Sequence, residues 1–259
     1  MKKILTTAIL AVLASMTTAS AQNETTPGLI WSALHHLEYE VNAGINIGGT
    51  SPLPLPAEIR SIDSYSPNLN LSIGATATKW FGRTKRWGLV LGIGLDTKGM
   101  QTRATVKNYG MEIIQDGDRV SGNWTGKVQT RYRGTLFTVP LMATYKFNPR
   151  FKMAVGPYLS VRLNGEFVGY VYDGYMREGG PTGNKVVFDD DKEAPYDFSS
   201  ELRRLQWGGQ ISATWYAFKH LTVHGNLMWG FNDIFRHDFK TITFTMYPIY
   251  LNAGFGYAF

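Results

Sequence analysis

The alternation of apolar and polar residues at the end of the chain constrains the fold more than any other feature of the sequence. Over residues 247–259 the odd-numbered positions are apolar or aromatic, and the even-numbered positions are mostly small or polar. A period of two is that of a β-strand. Thirteen such residues rise about 40 Å and, when tilted by ~45°, span roughly 28 Å, close to the ~25 Å apolar band of an outer-membrane β-barrel. We therefore predict a membrane-spanning closing strand that ends in the aromatic residues Tyr257 and Phe259.

The same period recurs in seven further segments. They cover residues 36–48, 68–81, 87–104, 127–147, 151–167, 202–218 and 221–231. The connections alternate in length, with short turns at 82–86, 148–150 and 219–220 and long loops at 49–67, 105–126 and 169–201. Short periplasmic turns and long loops on the other side are typical of the outer-membrane barrels of Gram-negative cells. We predict an all-β, eight-stranded antiparallel transmembrane β-barrel, since a secreted β-sandwich accounts for the alternation but not for this asymmetry.

The first 21 residues are typical of a secretory signal peptide. Lys2 and Lys3 precede a short apolar run, and Ala19-Ser20-Ala21 matches the small-residue cleavage pattern. The apolar run is too short for a transmembrane helix. The predicted organisation is a signal peptide over 1–21, a periplasmic tail over 22–35 and an outer-membrane barrel over 36–259.

Composition excludes several kinds of site. The chain has no cysteine, so it has no disulfide, no thiol nucleophile and no cysteine–zinc centre. Its net charge of +6 is too small to indicate a nucleic-acid-binding protein. The acidic run Asp189-Asp190-Asp191 lacks the alternating ligands of an EF-hand, and we expect a solvated loop there. We predict neither a metal site nor a cofactor.

The interior of an eight-stranded barrel is only wide enough for side chains. Charged residues of both signs and one histidine are expected to face the lumen: Glu38, Glu40, Asp96, Lys98, Lys152, Arg162, Glu166, Arg204 and His224. Charges removed from water have to be paired, so we predict a polar network that fills the lumen. A small-solute or ion pore is the alternative, although a selective pore usually carries a ring of one sign.

Two groups outside the lumen have a functional interpretation. The basic residues Arg83, Lys85 and Arg86 occupy a predicted periplasmic turn, where they are suited to anionic lipid headgroups or to a periplasmic protein. His237 and Asp238 lie side by side in the last loop and suggest a membrane-embedded enzyme as a second alternative. A catalytic site also needs a nucleophile and a third partner in geometry. The sequence identifies neither, and we predict no catalytic residue.

Four motifs, in order along most of the chain, resemble the PorT-like outer-membrane β-barrel family. They are GLDTKG at 94–99, PLMATYKF at 140–147, VGPYL at 155–159 and NAGFGYAF at 252–259. The resemblance implies an eight-stranded barrel with a signal peptide, no cofactor and no established activity for most members. The namesake of the family is tied to export of proteins across the outer membrane.

The expected function is that of an integral outer-membrane protein without enzymatic activity, acting structurally or as a binding or assembly partner. Its expected partners are outer-membrane lipids and lipopolysaccharide, a periplasmic or outer-membrane protein, and the barrel-assembly machinery during insertion.

Overall fold

The computed structural model describes residues 37–115, 118–188 and 192–259. The predicted signal peptide, the periplasmic tail and the acidic run Asp189-Asp190-Asp191 lie outside the described residues. In the described part of the chain, no helix is long and apolar enough to cross a membrane.

Eleven β-strands and one short 3₁₀ turn make up the described secondary structure. The strands are β1 Leu37–Pro52, β2 Ile59–Ser66, β3 Asn70–Phe81, β4 Trp87–Gln115, β5 Asp118–Asn148, β6 Phe151–Glu178, β7 Lys185–Phe188, β8 Ala194–Asp197, β9 Leu205–Tyr216, β10 Leu221–Gly230 and β11 Met246–Ala258. The 3₁₀ turn covers Ser199–Glu201.

Eight of these strands close a ring in the order β1-β3-β4-β5-β6-β9-β10-β11. The ring closes where the first strand pairs antiparallel with the last, from Glu40 opposite Ala258 to Pro52 opposite Met246. Closure removes the free sheet edges that invite aggregation. The predicted eight-stranded barrel and its closing strand are confirmed.

The two faces of the barrel wall differ as the period of two predicts. Ile73, Leu91 and Leu251 point outward and remain about half exposed, whereas Asn46 and Asn252 point inward and are buried. An exposed ring of large apolar side chains around a polar interior reverses the arrangement of a soluble protein and fits a surface in contact with lipid.

Strands β4, β5 and β6 are much longer than a membrane crossing. They contain 29, 31 and 28 residues, whereas a crossing needs about 9–11. The predicted long loops at 105–126 and 169–201 are therefore wrong in large part, because β4 continues to Gln115 and β6 continues to Glu178. The sequence pattern missed these extensions because register shifts at 106–109 and 126–127 interrupt the alternation.

The extensions form a folded cap on the end of the barrel opposite the short turns. The cap comprises β2, β7, β8, residues 231–245, and three strand segments: residues 100–115 of β4, 118–133 of β5 and 166–178 of β6. It encloses an apolar core, which includes Met111, Ile113, Trp124, Phe167, Val171, Tyr196 and Phe235. The barrel interior is thus polar at its centre and apolar within the cap.

Candidate functional site

An ion cluster crosses the lumen near the short turns. Glu38 and Glu40 are two residues apart on β1 and share its inner face. The Lys152 Nζ atom lies 3.1 Å from Glu38 Oε1 and 3.1 Å from Glu40 Oε2. Lys152 belongs to β6, which lies four strands from β1 in either direction around the ring. The cluster therefore joins opposite walls of the barrel.

Neutral donors complete the coordination of both carboxylates. The Trp80 indole donates to Glu38 Oε2 at 2.9 Å, and the Tyr216 hydroxyl donates to Glu38 Oε1. The Thr222 hydroxyl donates to Glu40 Oε1 at 2.8 Å. A Cβ at Gly256 would lie 2.7 Å from the same oxygen, so a glycine is needed there for close approach. Paired and hydrogen-bonded in this way, the buried charges meet the condition for a stable ion pair.

A second network at mid-barrel centres on Asn252. Its amide nitrogen donates to Asn46 Oδ1 at 2.9 Å and to Ser72 Oγ at 2.6 Å. Its amide oxygen accepts from His224 Nε2 at 3.0 Å, which assigns the proton to that ring nitrogen. The other ring nitrogen, Nδ1, is buried without a protein partner. On the opposite wall the Thr138 hydroxyl donates to Asp96 at 2.8 Å.

A polar cavity of about 100 Å³ lies between these groups. Glu40 and Lys152 bound it on one side, and Asp96, His224 and Met228 line it further along. Polar cavities of this size hold ordered water. The small volume of the cavity and the paired charges beside it fit a static network.

Lys98 closes the far end of the polar region. Its ammonium group lies between the rings of Tyr158 and Tyr250, 5.6 Å and 5.3 Å from their centroids, and 3.7 Å from Met228 Sδ. These side chains come from β4, β6, β11 and β10, on different sides of the ring. Cation–π contacts stabilise a lysine that is almost fully buried. Beyond this layer the apolar core of the cap begins.

Two residues that we predicted to face the lumen are exposed instead, and a third does not join the ion cluster. Glu166 is exposed because a bulge between Arg162 and Asn164 reverses the alternation of β6, so that Phe167 faces inward instead. Arg204 is also exposed, since it precedes the first residue of β9. Arg162 does not join the ion cluster: its guanidinium donates to the backbone oxygens of residues 202 and 203 at 2.7 Å and 3.2 Å.

The sequence analysis missed the neutral members of the network. The neutral side chains that bond or contact the charged groups or His224 are Trp80, Tyr158, Tyr216, Thr222, Tyr250 and Asn252. Most of them occupy inward positions of the predicted strands, so the alternation alone was sufficient to identify them. Charge is a stronger sign of a buried network than a neutral hydroxyl or amide, so only the charged residues and His224 were predicted as its members.

The remaining predicted groups lie at the two ends of the molecule. Arg83, Lys85 and Arg86 are exposed in the turn between β3 and β4. His237 and Asp238 are exposed in the cap, where Asp238 forms a two-point ion pair with Arg236, at 3.2 Å and 2.6 Å. The hydrogen bonds from Arg236 lower the pKa of Asp238, which makes the carboxylate a weaker base. Across the described ranges, no three histidine or acidic side chains cluster closely enough to hold a metal ion.

Comparison with known proteins identifies the class of the barrel. A family model described as the outer membrane protein beta-barrel domain matches residues 20–236. No curated protein sequence matches the chain.

Several solved structures share the barrel at low similarity. Ail, the attachment invasion locus protein of Yersinia pestis, is 10% identical with a TM-score of 0.38, over 86% of this chain and 98% of that one. The outer membrane protease OmpT of Escherichia coli is 12% identical with a TM-score of 0.34, over 92% and 99%. Neisserial surface protein A is 11% identical with a TM-score of 0.33, over 86% and 97%. These identities and TM-scores are too low to infer a shared function, so the assignment to a family rests on the family model alone.

Proposed function

The chain belongs to the outer membrane protein beta-barrel domain family, and on that premise we propose that it acts in the outer membrane as a non-conducting, non-enzymatic binding or assembly partner. Membership places the chain in the outer membrane but leaves its role there open. The proposal concerns that role.

The observation that carries the proposal is the bridge from Lys152 to Glu38 and Glu40 between opposite walls of the ring. A solute that crosses the lumen would have to separate these charges in a poorly hydrated interior. Breaking one buried ion pair costs about 3–5 kcal/mol. The Lys98 layer and the apolar core of the cap add two further obstacles. A filled barrel of this kind supports a role at its ends rather than through its centre.

The end with the short turns offers the more specific surface for a protein partner. Arg83, Lys85 and Arg86 present three positive charges within four residues. Rim charges of this kind steer association with an acidic surface. The resemblance to the PorT-like family supports a role in the assembly or export of other proteins. On the opposite side, the cap would meet lipopolysaccharide.

Affinity capture after gentle detergent extraction from native outer membranes tests the partner role. A protein that copurifies in fixed stoichiometry with the wild type should be lost when Arg83, Lys85 and Arg86 are all replaced by alanine. The matched control replaces Arg150 and Lys219, the basic residues of the other two short turns, and should retain the partner. Recovery of the barrel alone, or equal capture by the triple-alanine variant, contradicts an assembly role for this turn.

A further inference from the structure

The wall of the barrel opens on one side where it enters the cap. β3 begins at Asn70, whereas its neighbour β1 continues upward as far as Pro52. Above the end of β3, strand β2 becomes the partner of β4, from Ile59 opposite Val106 to Ser66 opposite Gln101. β2 ends the strand order and does not pair with β1 within the described residues. We call the gap between residues 49–52 of β1 and β2, beyond the hydrogen bond from Tyr65 to Gly48, the lateral cleft.

A cavity of about 400 Å³ lies behind the lateral cleft. Its walls are mainly apolar and come from β2, β4, β6, the loop before β11 and β11 itself: Ile62, Met100, Val106, Phe167, Phe244 and Met246. The volume is within the range of about 300–1,000 Å³ that is usual for small-molecule sites. None of the described lining residues carries a charge.

Three polar side chains that line the cavity are engaged with the protein itself. The Thr130 hydroxyl is bonded to the Tyr196 hydroxyl at 2.6 Å, and the Tyr65 hydroxyl donates to the backbone oxygen of Gly48 at 2.9 Å. The Thr50 hydroxyl points at Met100 Sδ, 3.9 Å away. A polar ligand would find few free partners here, whereas an alkyl chain needs none.

The cavity is continuous with the surface that faces lipid. Gly49 and Ile249 are partners in the β1–β11 ladder, and both line the cavity. The lining residue Ile62 is exposed, and so are Leu53 and Leu55, which follow the lining residue Pro52 in the chain. Exposed apolar residues that form a contiguous patch mark an interaction site. These exposed side chains make the surface beside the cavity apolar.

We propose that the lateral cleft binds a single long alkyl chain, taken up sideways from the outer leaflet. The chain belongs to a membrane lipid or to a free fatty acid, since both present the same apolar chemistry to the walls. This site adds a small-molecule ligand to the function proposed above. It is remote from the basic turn, so either role can fail without the other.

Photoaffinity labelling of the purified full-length barrel in lipid nanodiscs tests the proposal. One arm uses a palmitic acid that carries a diazirine near its methyl end, and the other uses a phospholipid with the same group in one acyl chain. Peptide mapping should place the label on residues that line the cavity, and unlabelled palmitic acid should compete in the first arm. Labelling in only one arm identifies the source of the chain.

Two variants test whether the labelling is specific to the lateral cleft, and a third is the control. Ala104→Phe adds bulk to the cavity wall and should reduce labelling about tenfold, because it displaces about two methylene groups of the ligand. Ile62→Asp places a charge at the exposed mouth, where refolding is not at risk, and should reduce labelling similarly. Val187→Phe places the same phenyl ring at an exposed position of the cap and should change nothing. Absence of label from the cavity in both arms, or equal labelling of Ile62→Asp and the wild type, overturns the proposal.

Discussion

Replacement of Lys152 by methionine removes the cation that joins Glu38 and Glu40 across the lumen. The side chains of Lys152 and Glu40 are each 7% exposed, and that of Glu38 is 20% exposed, so solvent screens these charges little. Loss of one partner from a buried ion pair costs about 3–5 kcal/mol. Glu38 retains the Trp80 indole and Lys146, which lies 3.7 Å away, so the cost falls mainly on Glu40. We therefore expect a loss near ~3 kcal/mol in the free energy of unfolding.

A second substitution separates the lost pair from a simple packing defect. Glu40→Gln in the Lys152→Met background removes the uncompensated charge and keeps an oxygen for the Thr222 hydroxyl. Replacing a buried pair by neutral groups is often close to neutral, so the double variant should recover to within ~1 kcal/mol of the wild type. Lys219→Met is the matched control, because it makes the same change in an exposed turn.

Equilibrium unfolding in urea, carried out in lipid vesicles and followed by tryptophan fluorescence, measures the free energy of unfolding of all four proteins. The expected order of stability is wild type and Lys219→Met together, the double variant just below, and Lys152→Met well below. If Lys152→Met unfolds at the same urea concentration as Lys219→Met, the ion cluster does not stabilise the barrel. A double variant less stable than Lys152→Met would refute the explanation by uncompensated charge.

Two further predictions concern the cap. Ile113→Ala truncates a side chain with no exposed surface, which should destabilise the cap by about 2–5 kcal/mol and speed its proteolysis, while the membrane part retains its heat-modifiable gel migration. Burial raises the pKa of Asp233 above its usual value, so its contribution to stability is present below the unfolded pKa and is lost as pH rises through the folded one. The free energy of unfolding measured in urea should therefore fall as pH rises through the folded pKa, and Asp233→Asn should abolish this dependence.

The period of two was sufficient to predict the ring, because lipid outside and a narrow interior constrain alternate residues over every crossing. The same reasoning placed Glu38, Glu40 and Lys152 on the inner wall. It did not show that Lys152 reaches β1, since contacts across the lumen depend on the stagger of strands far apart in sequence. Glu166 was assigned to the lumen because one extra residue in β6 reverses every later side chain, and a bulge leaves little signal in a single sequence.

The cap and the lateral cleft were beyond the reach of the sequence analysis for a different reason. Residues such as Trp124 and Phe167 are apolar, but bulges separate them, and no constant period links them. The cleft arises because β3 stops at Asn70 while β1 and β4 continue. That difference in strand length is a property of pairing and not of any one segment.

Single-channel recording in a planar lipid bilayer tests the closed lumen most directly. The account predicts that the purified wild-type barrel gives no steady openings at moderate voltage, because the bridge from Lys152 to Glu38 and Glu40 crosses the lumen below an apolar cap. Reproducible openings of constant size, present in independent preparations, would contradict the account and establish a pore.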